Sequence, residues 1–93
     1  MSKFDEKKIK DLSSNLKPLR QIAGWTQDEL GKMVGVTRQT IASIESNKKV
    51  PSITLIIAIM SVFVFKSKKN PMMKTLLNSL KVDKILDELI DDK

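Results

Sequence analysis

The sequence predicts an all-α fold, and three observations support that prediction. Apolar residues recur at helical spacing in short stretches between residues 15 and 63. Each stretch begins next to a residue type that commonly caps helices, and two of them end at a glycine. A competing strand pattern, a short run of β-branched and aromatic residues, is confined to the four residues 62–65. Short helices with tight connections therefore account for this part of the chain.

The first predicted helix covers residues 15–23. Asn15 stands in the capping position, and Pro18 falls within the first turn, where its missing N–H costs little. One face of the helix is apolar and carries Leu16, Leu19, Ile22 and Ala23. Gly24 follows in a position suited to a positive φ, so we expect the helix to end there.

The second predicted helix has the strongest start signal in the chain. Thr26 and Glu29 have the spacing of a capping box, in which each side chain bonds to the other residue's backbone N–H. Trp25 and Leu30 have the spacing of a hydrophobic staple around the same turn. We therefore expect Trp25 to belong to the core rather than to stack on a ligand. Gly35 marks the end of this helix.

Two more helices follow. Thr37 caps a helix over residues 38–46, and Ser52 caps another that ends at about Phe63. The second and third helices are joined by a short turn that contains Gly35. Two helices joined in this way form a helix-turn-helix, whose second helix enters the major groove of DNA.

The third predicted helix has two contrasting faces. Ile41 and Ile44 lie on one side at helical spacing. The opposite side carries Arg38, Gln39, Ala42, Ser43 and Ser46. A buried stripe with short or forked polar groups opposite to it is what a recognition helix needs. Gly31 is small where the second and third helices are expected to come close.

At these residues the chain resembles the Cro and phage-repressor-like (XRE-type) helix-turn-helix family. The similarity runs from Leu16 to about Phe63, and its most specific part is the run TQDELGKMVGVTRQTIASIESNK that begins at Thr26. The resemblance implies a compact, lambda-repressor-like DNA-binding domain of four to five helices. We place this domain at residues 14–65, after a basic arm or short helix at 1–13.

The resemblance also implies roles for individual residues. It implies base contacts in the major groove from Thr37, Arg38, Gln39 and Ser43. It implies phosphate contacts from Gln27, Ser46, Asn47 and Lys48. Gln27 is also expected to brace Gln39 or its neighbour. Family members pair an Arg in the first helix with a Glu late in the third, so Arg20 and Glu45 are expected to form a structural ion pair.

Composition narrows the function further. The 93 residues include no Cys and no His, which excludes Cys/His metal sites and any catalytic scheme with a Cys nucleophile or a His base. No pair of carboxylates has a context that suggests acid/base work, so we expect neither an enzyme nor a cofactor. The net charge of +6 favours an anionic partner, either nucleic acid or a membrane surface. The helix-turn-helix favours double-stranded DNA. The start of the chain lacks the apolar stretch of a secretory signal, which predicts a cytoplasmic protein.

Residues 50–65 depart from the family pattern because they contain no charge. A helix that is apolar nearly all round must be covered. We favour an oligomer interface over membrane contact, since sixteen residues are too few for a span of about 20. Alternatively, other parts of the same chain cover this apolar helix.

Residues 66–93 are predicted to form a helical extension that serves dimerisation. Two apolar stripes in it point in opposite directions, which predicts either two helices broken near residues 81–83 or one longer helix between two partners. Its cluster of lysines either adds phosphate contacts or forms a solvated linker, and comprises Lys66, Lys68, Lys69, Lys74 and Lys81.

These observations lead to two hypotheses for function. The first is a sequence-specific transcriptional regulator, a repressor, that binds a pseudo-palindromic operator as a homodimer. The second is an antitoxin-like or anti-regulator protein, whose apolar helix and tail bind a protein partner.

Overall fold

The computed structural model describes residues 3–91, and over that range the chain forms seven α-helices without any strand. In chain order these are α1 (Lys3–Ser13), α2 (Leu16–Ala23), α3 (Gln27–Val34), α4 (Arg38–Glu45), α5 (Ile53–Ser67), α6 (Pro71–Ser79) and α7 (Val82–Asp91). The predicted all-α class is therefore confirmed. The residues 62–65, whose pattern also suited a strand, lie within α5.

Residues 3–13 form a helix rather than an extended arm. On α1, Ile9 and Leu12 are fully buried in the common core. Lys8 and Glu88 form an ion pair that joins this helix to α7 near the other end of the chain. The segment is therefore an integral part of the packed domain.

The cap predicted for α2 is wrong in one detail. Asn15 precedes the helix, but its side chain makes no capping hydrogen bond. Its Nδ2 instead donates to the carbonyl oxygen of Asp11 at 2.9 Å. Because α1 ends only two residues earlier, its last carbonyls compete for this amide. At the other end, Gly24 has φ of 79° and closes the helix as expected.

Helix α5 supplies the centre of the core. Ser52 caps it, with its Oγ accepting from the N–H of Leu55 at 3.1 Å. The helix continues to Ser67, four residues beyond the expected end at Phe63, because no glycine or proline interrupts it there. Fully buried side chains from this helix are Ile56, Ile59, Met60 and Phe63.

The same chain provides most of the cover for α5. Helices α1, α2, α3, α6 and α7 all contact it, so intrachain packing takes the place of the expected oligomer interface over much of its surface. In the part of the chain that the structure describes, no helix combines the length and the apolar character needed to cross a membrane.

The C-terminal extension follows the two-helix alternative. Asn70 caps α6 through its Oδ1, which accepts from the N–H of Met73 at 3.1 Å. Lys81 has φ of 56° and separates α6 from α7. The break rotates α7 relative to α6, so the two opposed stripes reach one core. The residues of α6 and α7 that are buried in this core are Met73, Leu77, Val82 and Leu89.

Candidate nucleic-acid interface

Helix α3 begins with the capping box that the sequence predicts. The Oγ1 of Thr26 accepts from the backbone N–H of Glu29 at 3.0 Å. In return, the backbone N–H of Thr26 donates to Oε1 of Glu29 at 2.8 Å. Hydrogen bonding to the carboxylate, first from the backbone N–H of Thr26 and then from its side chain, lowers the pKa of Glu29. The start of α3, where Gln27 lies, is therefore held in a defined orientation.

The turn between α3 and α4 passes very close to Gly31. A Cβ at this position would lie 2.7 Å from the carbonyl oxygen of Val36 and 3.2 Å from the carbonyl carbon of Thr37. The N–H of Val36 donates to the carbonyl oxygen of Gly31 at 2.8 Å, which draws the turn against the helix. Gly35 has φ of 81° and reverses the chain at the helix end. Two glycines thus fix the angle between the helices.

Helix α4 presents the two faces that its sequence predicts. Ile41 and Ile44 are fully buried. Arg38 and Gln39 are exposed in the first turn, and among the contacts of the described residues none engages either side chain. Thr37 caps the helix, since its Oγ1 accepts from the N–H of Thr40 at 3.1 Å. Its hydroxyl thus orients the helix end.

The chain after α4 folds back onto the carbonyl oxygen of Ser43. That oxygen accepts from the Oγ of Ser46 at 3.2 Å and from the backbone N–H of Lys48 at 2.9 Å. The N–H of Lys49 donates to the same oxygen at 3.2 Å. Asn47 adopts the left-handed conformation with φ of 63°. This compact loop holds three residues of the expected phosphate-binding set beside the end of α4.

An ion pair joins the helix before the motif to the end of α4. The Nε of Arg20 lies 2.6 Å from Oε2 of Glu45, and its Nη2 donates to Oε1 at 3.1 Å. The exposed fractions of these two side chains are 12% and 5%. The expected pairing is therefore present, and it is largely removed from solvent.

The same network includes a bond that sequence reasoning missed. The Nε2 of Gln27 donates to Oε1 of Glu45 at 3.0 Å, so this side chain braces the end of α4 rather than Gln39. The Nη1 of Arg20 donates to the carbonyl oxygen of Trp25 at 2.9 Å. No sequence spacing signals the contact of Gln27, because the two residues meet only through the helix crossing.

Trp25 is partly buried and packs against the core, as its position before the capping box predicts. Its ring stacks on Phe63 with centroids 5.7 Å apart and an angle of 21° between the planes. The ammonium of Lys66 lies 5.8 Å from the centre of the indole. One lysine of the cluster at 66–81 is thereby placed directly beside the helix-turn-helix.

The predicted site residues fall into three groups. Arg20, Gln27 and Glu45 meet in one network behind the motif. The expected base-reading residues are concentrated at the start of α4, although Ser43 lies a turn later. The expected phosphate-binding residues after α4 are at its other end, about 12 Å away along an eight-residue helix. Within the described part of the chain, no acidic cluster has the makings of a metal site.

Comparison with known proteins agrees with this geometry. A family model described as helix-turn-helix matches residues 16–63, just over half of the chain. The chain belongs to this family of DNA-binding transcriptional regulators. The resemblance identified from the sequence is therefore confirmed, as is the lambda-repressor-like fold class.

Several curated proteins are similar to this family member. An uncharacterized HTH-type transcriptional regulator of Bacillus subtilis, YgzD, is 44% identical over 55 residues, which is 59% of this chain and 83% of that protein. Another from Methanocaldococcus jannaschii is 40% identical over the same shares of each chain. The antitoxin HipB of an Escherichia coli O6:H1 strain is 42% identical over 43 residues, 46% of either chain. No solved structure gave a significant match.

Proposed function

We propose that this protein is a cytoplasmic, sequence-specific repressor that reads the major groove with α4 as a homodimer. The observation that carries the proposal is the orientation of α4. Its apolar side is fully buried through Ile41 and Ile44, while Arg38 and Gln39 project from its first turn with no partner among the described residues. A helix fixed in this way presents its N-terminal side chains to base edges.

Base selection would come from the start of α4. Arg favours guanine O6 and N7, and Gln favours the edge of adenine, with about 1–3 kcal/mol of discrimination for each good bidentate pair. Arg38 and Gln39 supply these groups, and Ser43 supplies a hydroxyl one turn later. The Oγ1 of Thr37 accepts the capping bond from the N–H of Thr40 and shares a second hydrogen bond with the Thr40 hydroxyl. We propose that Thr37 contacts DNA through its methyl group or through the one remaining hydrogen-bonding position of its hydroxyl.

Phosphate contacts would flank the reading helix on both sides. Glu45 accepts one of the two side-chain amide hydrogens of Gln27. The other amide hydrogen and the backbone N–H of Gln27 stay available for a phosphate. Ser46, Asn47 and Lys48 provide donors in the loop after α4. Such contacts fix the register of the protein on the duplex and make affinity fall with salt.

Selection of bound DNA from a random pool tests the proposal. We expect enrichment of a pseudo-palindrome whose half-sites lie about 34 Å apart, because a homodimer places two recognition helices one DNA turn apart. Sizing of the complex with the selected duplex should give two protein chains. Placing that sequence across a reporter promoter should lower expression, since an occupied site excludes polymerase. A bound pool without a common sequence would rule out specific reading.

A second candidate function is that of a DNA-binding antitoxin, which the similarity to HipB favours. In that case, α4 would still bind DNA, and another surface would hold a toxin. Expression of the protein encoded next to this gene, alone and together with this chain, distinguishes the candidates. An antitoxin should relieve the growth arrest that the neighbouring protein causes by itself. Unchanged growth in both cultures would leave the repressor as the function.

A further inference from the structure

A basic surface groove lies beside the helix-turn-helix and outside its expected DNA-contacting face. Trp25, Phe65, Lys66, Lys68 and Lys69 line this cavity of about 450 Å³, which we call the basic aromatic groove. Lysine stems form part of its walls, so its floor is apolar while its rim carries ammonium groups. The base and phosphate contacts of the proposed function do not use it.

The groove contains an aromatic ring that the fold leaves in water. Phe65 is 74% exposed, the highest exposure among the large apolar residues described. The ammonium of Lys68 lies 5.6 Å from the centre of its ring. A partner suited to this surface combines an apolar side chain with carboxylates. Exposed apolar residues within a charged rim are typical of protein interaction sites.

Helix α7 offers that combination on its solvent-facing side. Asp83, Asp87 and Ile90 recur at helical spacing and are all exposed, and we call them the acidic stripe. Ile90 is 50% exposed although it is a large apolar residue. A different side of the same helix is anchored in the core through Val82 and Leu89. The stripe is therefore held rigidly outward.

The groove and the stripe adjoin each other on the molecule. Lys68 lines the basic aromatic groove, and together with Asp83 it also lines a second, smaller cavity between α5, α6 and α7. Among the described residues, Lys68 and Asp83 form no ion pair with each other. When two complementary surfaces adjoin on one molecule, a two-fold axis near their shared edge can place the stripe of each copy in the groove of the other copy.

We propose that α7 of one protomer places its acidic stripe in the basic aromatic groove of a second copy of this chain, and that the contact is reciprocated. The proposal deepens the homodimer of the proposed function and rests on it. Ile90 packs against Phe65 of the other copy, and the two aspartates face its lysine ammonium groups. Because the contact occurs twice, each one contributes half of the roughly 1,200–2,000 Å² that specific interfaces bury.

Charge reversal tests this arrangement in the absence of DNA. Asp83→Lys/Asp87→Lys makes the stripe basic, and Lys66→Glu/Lys68→Glu makes the groove acidic. In either homodimer, like charges then meet at both contacts, so sedimentation equilibrium should show self-association weakened by roughly a hundredfold or more. Mixing the two variants should restore a dimer that contains one copy of each, because both contacts again join opposite charges.

Control variants with the same net charges use exposed residues on α1 and α2. Lys7→Glu/Lys17→Glu matches the acidic groove variant, and Glu6→Lys/Asp11→Lys matches the basic stripe variant. Both controls should dimerise like the unmodified protein. Circular dichroism and thermal unfolding verify that each variant is folded, and Phe65→Ala provides an uncharged variant that should also weaken dimerisation.

Three results would each overturn the proposal: an unmodified protein that stays monomeric at all concentrations, reversed variants that dimerise normally, or a mixture that forms no mixed dimer. None of these measurements depends on DNA. Loss of operator binding by a protein that still forms the mixed dimer would instead count against the proposed function.

Discussion

Arg20 and Glu45 form a bidentate ion pair that ties the helix before the motif to the last residue of the recognition helix. The two contacts measure 2.6 Å and 3.1 Å, and Gln27 adds a third hydrogen bond to the same carboxylate. The C-terminal end of α4 is thus fixed to both α2 and α3. Orientation of the exposed side chains at the start of α4 depends on this anchoring, because the helix is only eight residues long.

Removing one partner of the ion pair should strongly destabilise the fold. Glu45→Ala leaves the guanidinium of Arg20 largely buried without its carboxylate, and breaking a buried pair in this way costs about 3–5 kcal/mol. Urea unfolding followed by circular dichroism measures the loss. Glu6→Ala, which removes a carboxylate from an exposed pair with Lys10, serves as the control and should cost under about 1 kcal/mol.

The double variant Arg20→Met/Glu45→Leu removes both charges at once. It therefore distinguishes the net contribution of the ion pair to the free energy of unfolding from the cost of leaving one buried charge without its partner. Apolar replacements of both partners are often neutral or stabilising. We therefore expect the double variant to be more stable than Glu45→Ala. Equal destabilisation by the two variants would contradict the view that the uncompensated charge causes the loss.

Gly31→Ala should destabilise the protein through a steric clash in the turn. The added Cβ would lie 2.7 Å from the carbonyl oxygen of Val36, and backbone cannot move aside as easily as a side chain. We expect a loss of about 1–3 kcal/mol of unfolding free energy. Lys32→Ala, at the adjacent exposed position of α3, is the control. A change within about 0.5 kcal/mol for Gly31→Ala would show that the turn adapts.

The capping box should make stability depend on pH. Its hydrogen bonds from Thr26 lower the pKa of Glu29 below the ordinary value of 4.5 in the folded state. Between the folded and the unfolded pKa of Glu29, the unfolded state therefore binds more protons than the folded state. The stability that this carboxylate contributes is complete above the unfolded pKa and is lost as the pH falls through the lowered folded pKa. Unfolding free energies of the unmodified protein and Glu29→Gln, compared from neutral pH to about pH 3, should converge. Parallel curves would exclude a contribution from this carboxylate.

Substitutions should distinguish the residues that read bases from those that contact phosphates. Arg38→Ala and Gln39→Ala should each lower affinity for the selected operator by about 1–3 kcal/mol and leave binding to random DNA nearly unchanged. Lys48→Ala should weaken both kinds of DNA alike and reduce the slope of log affinity against log salt by about one. Equal losses on operator and random DNA for the first two variants would place base readout elsewhere.

The local features of the motif were predictable from sequence because they depend on near neighbours. The capping box of Thr26 and Glu29 spans three residues, and Gly24 and Gly35 end their helices with the expected left-handed backbone. The Arg20 and Glu45 pairing came instead from family resemblance, since no local pattern connects residues 25 positions apart. Base and phosphate contacts remain predictions, because they concern a second molecule.

Two predictions about helix ends were wrong, for different reasons. Asn15 has the right type for a cap, but the nearby end of α1 offers its amide a carbonyl instead. Helix α5 extends past Phe63, where the family pattern predicts its end, because no glycine or proline interrupts it before Ser67. For Asn15, the competing carbonyl belongs to the preceding helix, which the capping pattern does not describe.

By itself, the sequence determined where α2, α3 and α4 begin and end, where α5 begins, which face of α4 is apolar, and which family the chain resembles. Only the tertiary structure decided that α5, which is apolar nearly all round, is covered by five other helices of its own chain, α6 foremost among them. It also decided that Gln27 braces Glu45 and that Phe65 stays in water beside three lysines. Helix signals act over a few residues, whereas burial depends on how all seven helices share one core.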